Sequence, residues 1–573
     1  MKKNRLSLLF LIFSVIIVNI FLHLYDFNID LTEDKKHSIS KETVEIINNL
    51  DDVVFIKAYL NGNLPVEFKY LQAELLNLLN SFKIIGSNNI EFEFVNIDNI
   101  KDDKEKKGLF KQLVKDGLLP TDIQKETSSN RTNQIIFPGA IIYYKSKQKA
   151  VNFLKNSIGK KPSDNINYSV ENLEYEFISA IHHLTKLNID KIAFLEGNGQ
   201  LSDKQIYDLT HSIIKGDDNL SYHYNIERFN IKSYEIDAST KTADISKQII
   251  YLSAFKVVII AKPSIPFNNL EKFIIDQYIM NGGKVLWLID AVNANIDSLQ
   301  NINSFIALKN NLNLDDQLFK YGVRINTDLI EDMRSTKIPI VTGYSNNLPQ
   351  QSYFSWPYYP LLFSEVNHPI SKGLDAIKCD FASSIDTINN TIKKTILLTS
   401  SKHSRLNPVP VKVSLNILQN PPPLESYNKS KLPIAVLLEG EFESVFKNRI
   451  LPKTDIINFK NKSRNTQMIV VSDGDIAKNR VLNNGDIYPL GYDRFIKYTY
   501  PGNKRFVMNA IHYLCDDIGL TRLKSKEFKL RLLDKSKIIK KRILIQLVNI
   551  VIPLLLVLFF IITFLYVRHK KYA

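Results

Sequence analysis

Two apolar runs without charge stand near the ends of the chain, and the longer one covers residues 543–567. As a helix rising about 1.5 Å per residue it would reach roughly 37 Å, enough to cross a hydrocarbon core of about 30 Å. Pro553 is tolerated in a membrane helix, because neighbouring groups can satisfy the carbonyl that it frees. Basic clusters at residues 540–542 and 568–571 close both ends. The pattern favours a membrane span over a buried helix of a soluble protein.

The second apolar run, residues 6–24, follows Lys2, Lys3 and Arg5. A secretory signal would have a shorter apolar region and small residues at a cleavage site, which this run lacks. We predict an uncleaved signal anchor, with residues 1–5 in the cytoplasm. The protein would then be a two-pass inner-membrane protein with a large periplasmic domain and a cytoplasmic tail at 568–573. The basic outer flank of the second span opposes this orientation, but the first helix usually dominates.

The region after the first span alternates between strand and helix periods. Apolar runs and alternations predict strands at 53–60, 90–97, 139–145 and 149–153, and helical spacing predicts helices at 68–79, 101–117 and 171–187. The order β-α-β-α-β-β-α, with Pro138 before the penultimate strand, resembles a thioredoxin-like domain, which we place at residues 25–188. Redox members need a C-x-x-C after the first strand. Residues 61–64 read Asn-Gly-Asn-Leu, so we expect the fold without the oxidoreductase activity.

From residue 189 onward, apolar strands alternate with helices. We predict strands at 191–195, 255–261, 285–289, 395–398, 434–438 and 468–471, and a helix at 270–280. Strands joined by crossover helices indicate a parallel, doubly wound α/β sheet, here a flavodoxin- or amidotransferase-like domain at 189–518. Its proline-rich segment 405–433 is interpreted mainly as a surface excursion. A juxtamembrane segment, 519–542, would lead to the second span.

Composition agrees with a membrane-anchored protein of two domains. The chain has 573 residues, 45% of them hydrophobic, which suffices for more than one core. Its net charge of +15 is concentrated at the membrane flanks, where it attracts anionic lipid, so we expect lipid and not nucleic acid as its partner. The two cysteines, Cys379 and Cys515, are too few for a disulfide framework.

Four local patterns carry candidate chemistry. Gly197-Asn198-Gly199 follows a strand, but Ser202 replaces the third glycine of a dinucleotide fingerprint, which favours a plain tight turn. The adjacent His182 and His183 point to different sides of a helix and are interpreted as ordinary histidines. Trp356-Pro357-Tyr358-Tyr359-Pro360, interpreted as a loop, would either form an exposed aromatic contact or pack over the sheet.

The fourth pattern is Asp473-Gly474-Asp475, directly after a predicted strand, where α/β proteins place their ligands. Two carboxylates there would hold a divalent cation, or would form a turn and a helix N-cap. Both interpretations stay open. We predict no catalytic, cofactor-binding or metal-binding residues and no cofactor.

Several stretches occur in a characteristic order: residues 30–33 with Ser38 and Ser40; 282–286; 437–442 with Ser444 and 446–449; 472–475; and 519–521 through Lys526, Glu527, Arg531, Leu533 and Asp534. Together with the two flanking spans they resemble the gliding-motility-associated, or GldG-like, family of ABC transporter auxiliary proteins. The resemblance implies an auxiliary, substrate-binding-like subunit that works with a permease and an ATPase on separate chains. It also implies a domain shared with intraflagellar transport proteins and related to the glutamine-amidotransferase-like fold, without catalytic residues to carry over. The alternatives are a membrane-tethered, metal-dependent hydrolase and a structural envelope scaffold.

Polar side chains within the two spans are candidate partner-binding residues. Asn19 and His23 share one helix face, and Gln546 and Asn549 share a face of the other helix. Polar groups in hydrocarbon seek partners, so these pairs would join the two helices or dock on the permease. Alternatively, they reach the lipid headgroups. The sequence names no transported or bound ligand.

Overall fold

The computed structural model describes residue 13 and residues 38–127, 130–154, 162–186, 188–213, 218–239, 243–299, 302–364, 366–452, 458–525 and 535–572. The chain separates into two compact units. Residues 39–526 form one, and the C-terminal helix belongs to the other.

The first part of the larger unit is a small α/β domain. Its elements are α1 (Lys41–Asn48), β1 (Val54–Ala58), α2 (Val66–Gly86), β2 (Ile90–Phe94), α3 (Asp103–Lys115), β3 (Thr121–Thr127), β4 (Asn130–Ile136), β5 (Gly139–Tyr144), β6 (Lys147–Asn152) and α4 (Pro162–Thr185). Its four-stranded sheet has the order β2-β1-β5-β6, with β2 parallel to β1 and with β5 antiparallel to both β1 and β6. The strands and helices that the sequence predicts here are all present, whereas the β3–β4 hairpin was not predicted.

Helical periodicity explains how α2 covers this sheet. Leu71, Leu75 and Leu79 recur every fourth residue and are fully buried. They pack in one core with alternate residues of β1, such as Val54 and Ile56, and with one face of α4. Side chains on the opposite face of the sheet pack in a second, smaller cluster with Leu113 of α3.

The second part of the unit is a larger domain, whose helices are α5 (Tyr207–Thr210), α6 (Ser246–Leu252), α7 (Asn269–Met280), α8 (Asp315–Tyr321) and α9 (Pro501–Cys515). Its strands are β7 (Lys191–Glu196), β8 (Asn225–Asn230), β9 (Glu235–Ile236), β10 (Ala243–Asp244), β11 (Val257–Ala261), β12 (Lys284–Leu288), β13 (Val292–Asn293), β14 (Ser304–Lys309), β15 (Val323–Ile325), β16 (Asp328–Asp332), β17 (Ser335–Ser345), β18 (Leu348–Leu362), β19 (Ile377–Lys378), β20 (Ile385–Thr387), β21 (Lys393–Thr399), β22 (Ser404–Pro408), β23 (Val411–Ser414), β24 (Pro433–Glu443), β25 (Lys462–Val471), β26 (Tyr492–Asp493) and β27 (Tyr498–Thr499).

Among the described residues, the central sheet has seven strands in the order β21-β24-β25-β12-β11-β7-β8. The run from β25 to β8 is parallel, as predicted, and β24 is antiparallel to both of its neighbours. Successive side chains of a strand point to opposite faces. In β12, Val285 and Trp287 therefore join the core that contains α7, and Leu286 and Leu288 join the core that contains α9. The mixed α/β class is confirmed.

A long hairpin, β17–β18, leaves this domain with an exposed tip. Its two turn residues, Asn346 and Asn347, have φ angles of 50° and 62°, the left-handed conformation of a type I′ turn. The interpretation of residues 356–360 as a loop was wrong, because they lie in β18, and Trp356 is completely buried. The pairing skips from Ser335–Pro360 to Lys337–Ser355. Such an irregularity accommodates prolines inside a strand.

Two other segments lie differently from their predictions. The proline-rich region 405–433 is not mainly an excursion, because β22 pairs with β16 and β23 pairs with β14. Residues 520–525, predicted to be juxtamembrane, include Leu520 and Leu523, which are buried in the core of the N-terminal domain.

The C-terminal helix α10 (Lys535–Tyr572) forms the other unit. Its segment Gln546–Lys571 is long and apolar enough to cross a membrane, by length and composition. Gln546 and Asn549 are exposed in it. Apart from residue 13, the predicted first span lies outside the described residues, as do Asn19 and His23.

Candidate functional site

Three neighbouring strands end in charged residues at one edge of the central sheet. Lys262 follows β11, Asp290 comes two residues after β12, and Asp473 and Asp475 follow β25. Because β11, β12 and β25 are adjacent and parallel, their carboxyl ends meet at this edge. Ligands of open α/β sheets bind there. The predicted acidic pair therefore lies at the expected place, together with a lysine that the sequence did not single out.

Lys262 forms the centre of the acidic cluster. Its Nζ lies 2.6 Å from Asp290 Oδ2, and it also donates to Asp475 Oδ2. Asp475 has a second ion pair, 3.3 Å long, with Lys478. Burial disfavours the Asp475 carboxylate, but the attraction of Lys262 and Lys478 outweighs burial and lowers its pKa to about 2. Asp475 is thus a carboxylate held between two ammonium groups.

Asp473 is completely buried, and its carboxylate accepts hydrogen bonds from backbone N–H groups. Its Oδ1 accepts the Asp475 N–H and its Oδ2 accepts the Asp380 N–H, both at 2.8 Å. Burial and the surrounding carboxylates of Asp475, Asp290 and Asp380 raise its pKa well above the ordinary value. Asp473 therefore fixes the turn after β25 and its contact with the segment around Asp380.

The backbone at this edge is closely packed. Lys262 has a left-handed conformation, with φ of 51°. A side-chain carbon at Gly474 would stand 2.6 Å from the Lys262 Cβ and 3.0 Å from its Cα. Gly474 is thus needed for the close approach of the two loops.

The cluster opens into a polar cavity of about 970 Å³. Of the residues that the structure describes, ten charged ones line it, five of each sign: Lys262, Lys378, Lys478, Arg480, Arg494, Asp290, Asp297, Asp380, Asp475 and Asp493. Most of these charges are paired, since Lys378 contacts Asp380 and Arg494 contacts Asp297. Arg480 is different, because no carboxylate within the described ranges pairs with its guanidinium.

The remaining predicted residues lie away from this cavity or serve the fold. Asn198 forms the predicted tight turn, and its Nδ2 donates to Glu271 Oε2 at 2.9 Å. Both cysteines are free and buried, and burial raises the pKa of the Cys379 thiol and that of Cys515, the latter to about 12. Neither thiol has the low pKa of a nucleophile. His182 and His183 lie on α4.

The sequence analysis did not identify the asparagines and arginines that line the cavity, because they lie on several loops that are far apart in the chain. The sequence signal for the cavity is polarity directly after each parallel strand, and this signal is present at Lys262 and Asp290 as well as at Asp473, but it does not show that the three residues meet.

Two family models match the chain. One, described as an ABC-type uncharacterized transport system, covers residues 190–510, more than half of the 573 residues, and a domain of unknown function covers residues 33–143. An uncharacterized protein of Borreliella burgdorferi is 24% identical over 468 residues, which are 79% of each chain. A solved structure, the mmIFT52 N-terminal domain, is similar with a TM-score of 0.30 and 13% identity, over 57% of this chain and 97% of that chain.

Proposed function

The chain belongs to the family of ABC-type uncharacterized transport systems, and on this premise we propose that it is a non-catalytic, membrane-anchored auxiliary subunit. It would work with a permease and an ATPase on separate chains, in gliding motility or in envelope transport. The cavity at the sheet edge would give it a substrate-binding-like role. Its two domains would be thioredoxin-like, as the order β2-β1-β5-β6 supports, and flavodoxin- or amidotransferase-like.

The geometry of Lys262 argues against the alternative of a metal-dependent hydrolase. One oxygen each from Asp290, Asp473 and Asp475 lie within 4.8 Å of one another, a spacing that would suit a divalent ion. However, the Lys262 ammonium already bonds Asp290 and Asp475, and both oxygens of Asp473 accept backbone N–H groups. A metal would have to displace the Lys262 ammonium from its two carboxylate partners. The arrangement therefore favours a structural role for the acidic cluster.

The observation that carries the ligand-binding role is Arg480. Its half-buried guanidinium lines the cavity, and burial together with the nearby Arg494 lowers its pKa. A cation in that setting is stabilised by an incoming anion, and guanidinium groups bind carboxylates and phosphates in a bidentate manner. We infer that the solute carries such an anionic group.

Inorganic phosphate and citrate are suitable probes of this inference. In the purified full chain, each is expected to raise the thermal denaturation midpoint, because a ligand that binds only the folded state stabilises it. Arg480→Gln should abolish the rise, and Arg464→Gln, at an exposed position on β25, should retain it. An equal rise in both variants would contradict the role of Arg480.

The β17–β18 hairpin is the proposed docking element for the transporter. Residues 338–362 contain no charged side chain, in a chain in which 23% of residues are charged. Near the tip, Tyr344 is 74% exposed and Leu348 is 71% exposed. A surface without charge loses no ion hydration when it is covered, which fits an apolar surface of a membrane-embedded permease.

Co-purification tests the transporter function. The full chain, extracted in detergent, should retain an ABC ATPase and a permease that mass spectrometry identifies. Leu348→Lys should reduce their recovery at least about tenfold, since burying a leucine contributes about 1.5–3 kcal/mol. The matched control is Leu424→Lys, at a residue that is 69% exposed and outside the hairpin. Recovery of no ATPase with the unaltered chain would favour a structural scaffold instead.

The two-pass topology is a separate proposal, supported by the charge flanking residues 6–24 and by the apolar segment Gln546–Lys571. A phosphatase reporter, active only in the periplasm, should be active when fused at the exposed Asn420 and inactive after Ala573. The reverse pattern would place the large domain in the cytoplasm.

A further inference from the structure

A second polar cluster lies where the two domains meet, at residues that do not line the cavity. His223 lies two residues before β8, His512 lies in the last turn of α9, and the exposed Asp218 precedes both in the chain. The centroids of the two imidazole rings are 4.8 Å apart, and the ring planes are nearly perpendicular. One nitrogen from each histidine and one oxygen of Asp218 lie within 4.8 Å of one another.

Neighbouring groups determine which nitrogen of His223 carries its proton. Lys149 of β6 places its Nζ 3.3 Å from Nδ1. The ammonium group of a lysine only donates. Nδ1 accepts that bond, so Nε2 carries the proton and donates to Asp218 Oδ1 at 2.7 Å.

His512 is oriented by Tyr224. The Tyr224 hydroxyl oxygen lies 2.7 Å from Nδ1 of His512, and in the metal-binding tautomer Nδ1–H donates to this oxygen, which leaves the Nε2 lone pair for a metal ion. The nitrogen of His512 that faces away from the ion therefore has the outer hydrogen bond typical of metal-binding histidines.

We propose that Asp218, His223 and His512 bind a divalent transition-metal ion of the Zn²⁺ class. Two imidazole nitrogens and one carboxylate oxygen suit Zn²⁺, with water as the fourth ligand. Tetrahedral bonds of about 2.0–2.2 Å need ligand atoms about 3.4 Å apart, so the three atoms must adjust by about 1 Å. The Asp218 side chain is 60% exposed and can adjust.

Binding of the ion moves two protons and releases one. Zn²⁺ takes the Nε2 lone pair of His223, and the Nε2 proton leaves to solvent. A neutral, metal-bound imidazole then needs its proton at Nδ1, and Lys149 supplies it and remains as a neutral amine that accepts from Nδ1–H. The Lys149 Nζ lies 3.3 Å from Nδ1, within reach for this transfer. The ion would thus fasten His223 to α9 while His223 stays bonded to the N-terminal domain.

The test uses the full chain in detergent, freed of metal by a chelator and titrated with Zn²⁺ or Co²⁺ alone. We expect one ion per chain, about one proton released per ion, and the visible absorption of tetrahedral Co²⁺. His223→Gln and His512→Gln should each weaken binding at least about 100-fold, because even the loss of an outer hydrogen bond typically costs 10–100-fold. His211→Gln, at an exposed histidine of the same domain, is the matched control and should bind as the unaltered chain does.

Two results would overturn the proposal. One is binding that persists in both His223→Gln and His512→Gln, which would show an adventitious site. The other comes from the unaltered chain and does not depend on variant folding: electron spin echo spectra of bound Cu²⁺ should show two imidazoles, and their absence would exclude this site.

Discussion

Lys262→Met is expected to lower the free energy of unfolding by about 3–5 kcal/mol. The substitution removes the cation that bonds Asp290 and Asp475, and it leaves these carboxylates, whose side chains are only 17% exposed, without their main compensating charge beside the buried Asp473. Removal of one member of a largely buried ion pair destabilises a protein strongly, because the remaining charge loses its partner and water replaces it only in part. Chemical denaturation of the full chain, followed by circular dichroism, measures the change.

Two controls separate charge from packing. Adding Asp475→Asn to Lys262→Met removes one of the two carboxylates that have lost their cation. The double variant should therefore recover part of the lost free energy of unfolding. Lys320→Met breaks the ion pair with Glu443, whose side chains are 39% and 44% exposed, and should change stability by less than about 1 kcal/mol. If Lys262→Met lowered the free energy of unfolding no more than Lys320→Met does, the cluster would not be a stabilising ion-pair network.

Trp356→Ala is expected to cost about 3–5 kcal/mol, the range for truncation of a buried aromatic side chain. Trp356 is completely buried, packs in one cluster with Ile338 and Val413, and has its ring 5.4 Å from that of Tyr358. Trp356→Phe keeps most of this contact and should cost less than about 1.5 kcal/mol. Thermal and chemical denaturation measure both variants.

Tyr353→Ala, three residues away on the same strand, is the matched control. Tyr353 is 51% exposed, and surface substitutions usually change stability by no more than about 0.5 kcal/mol. If Trp356→Ala were as mild as Tyr353→Ala, the aromatic segment would be a surface contact, as one of the two sequence interpretations held.

Most strands of the central sheet were predictable because local apolar runs define them. The run at 285–289 corresponds to β12, and that at 468–471 corresponds to the end of β25. The acidic turn after β25 was predictable for the same reason, since it directly follows such a run. Local pattern is sufficient wherever a strand is buried on both faces.

The ion-pair cluster was not predictable from local pattern. Lys262 and Asp475 are 213 positions apart, and they meet only because β12 lies between β11 and β25 in the sheet. Strand order is a property of the whole domain, and a single lysine after a strand carries no sign of it. Arg480 was missed for the same reason, since its surroundings come from several loops.

The loop prediction for the aromatic segment of β18 was wrong for a different reason. Pro357 and Pro360 indicate a loop, because proline cannot donate to a sheet ladder. The strand accommodates them where its pairing with β17 is interrupted, and this interruption depends on the partner strand.

The burial of Leu520 and Leu523 in the N-terminal core determines the order in which the protein can be completed. Lys524 also places its ammonium 4.4 Å from the centre of the Tyr175 ring on α4. The N-terminal domain is therefore synthesised first, but its core can be completed only after the whole second domain has been synthesised, because Leu520 and Leu523 follow that domain in the chain. In topological terms the second domain is an insertion within the first. Truncation of the chain before residue 520 would remove core residues from a domain more than 300 positions upstream, roughly the separation of Tyr175 from Lys524.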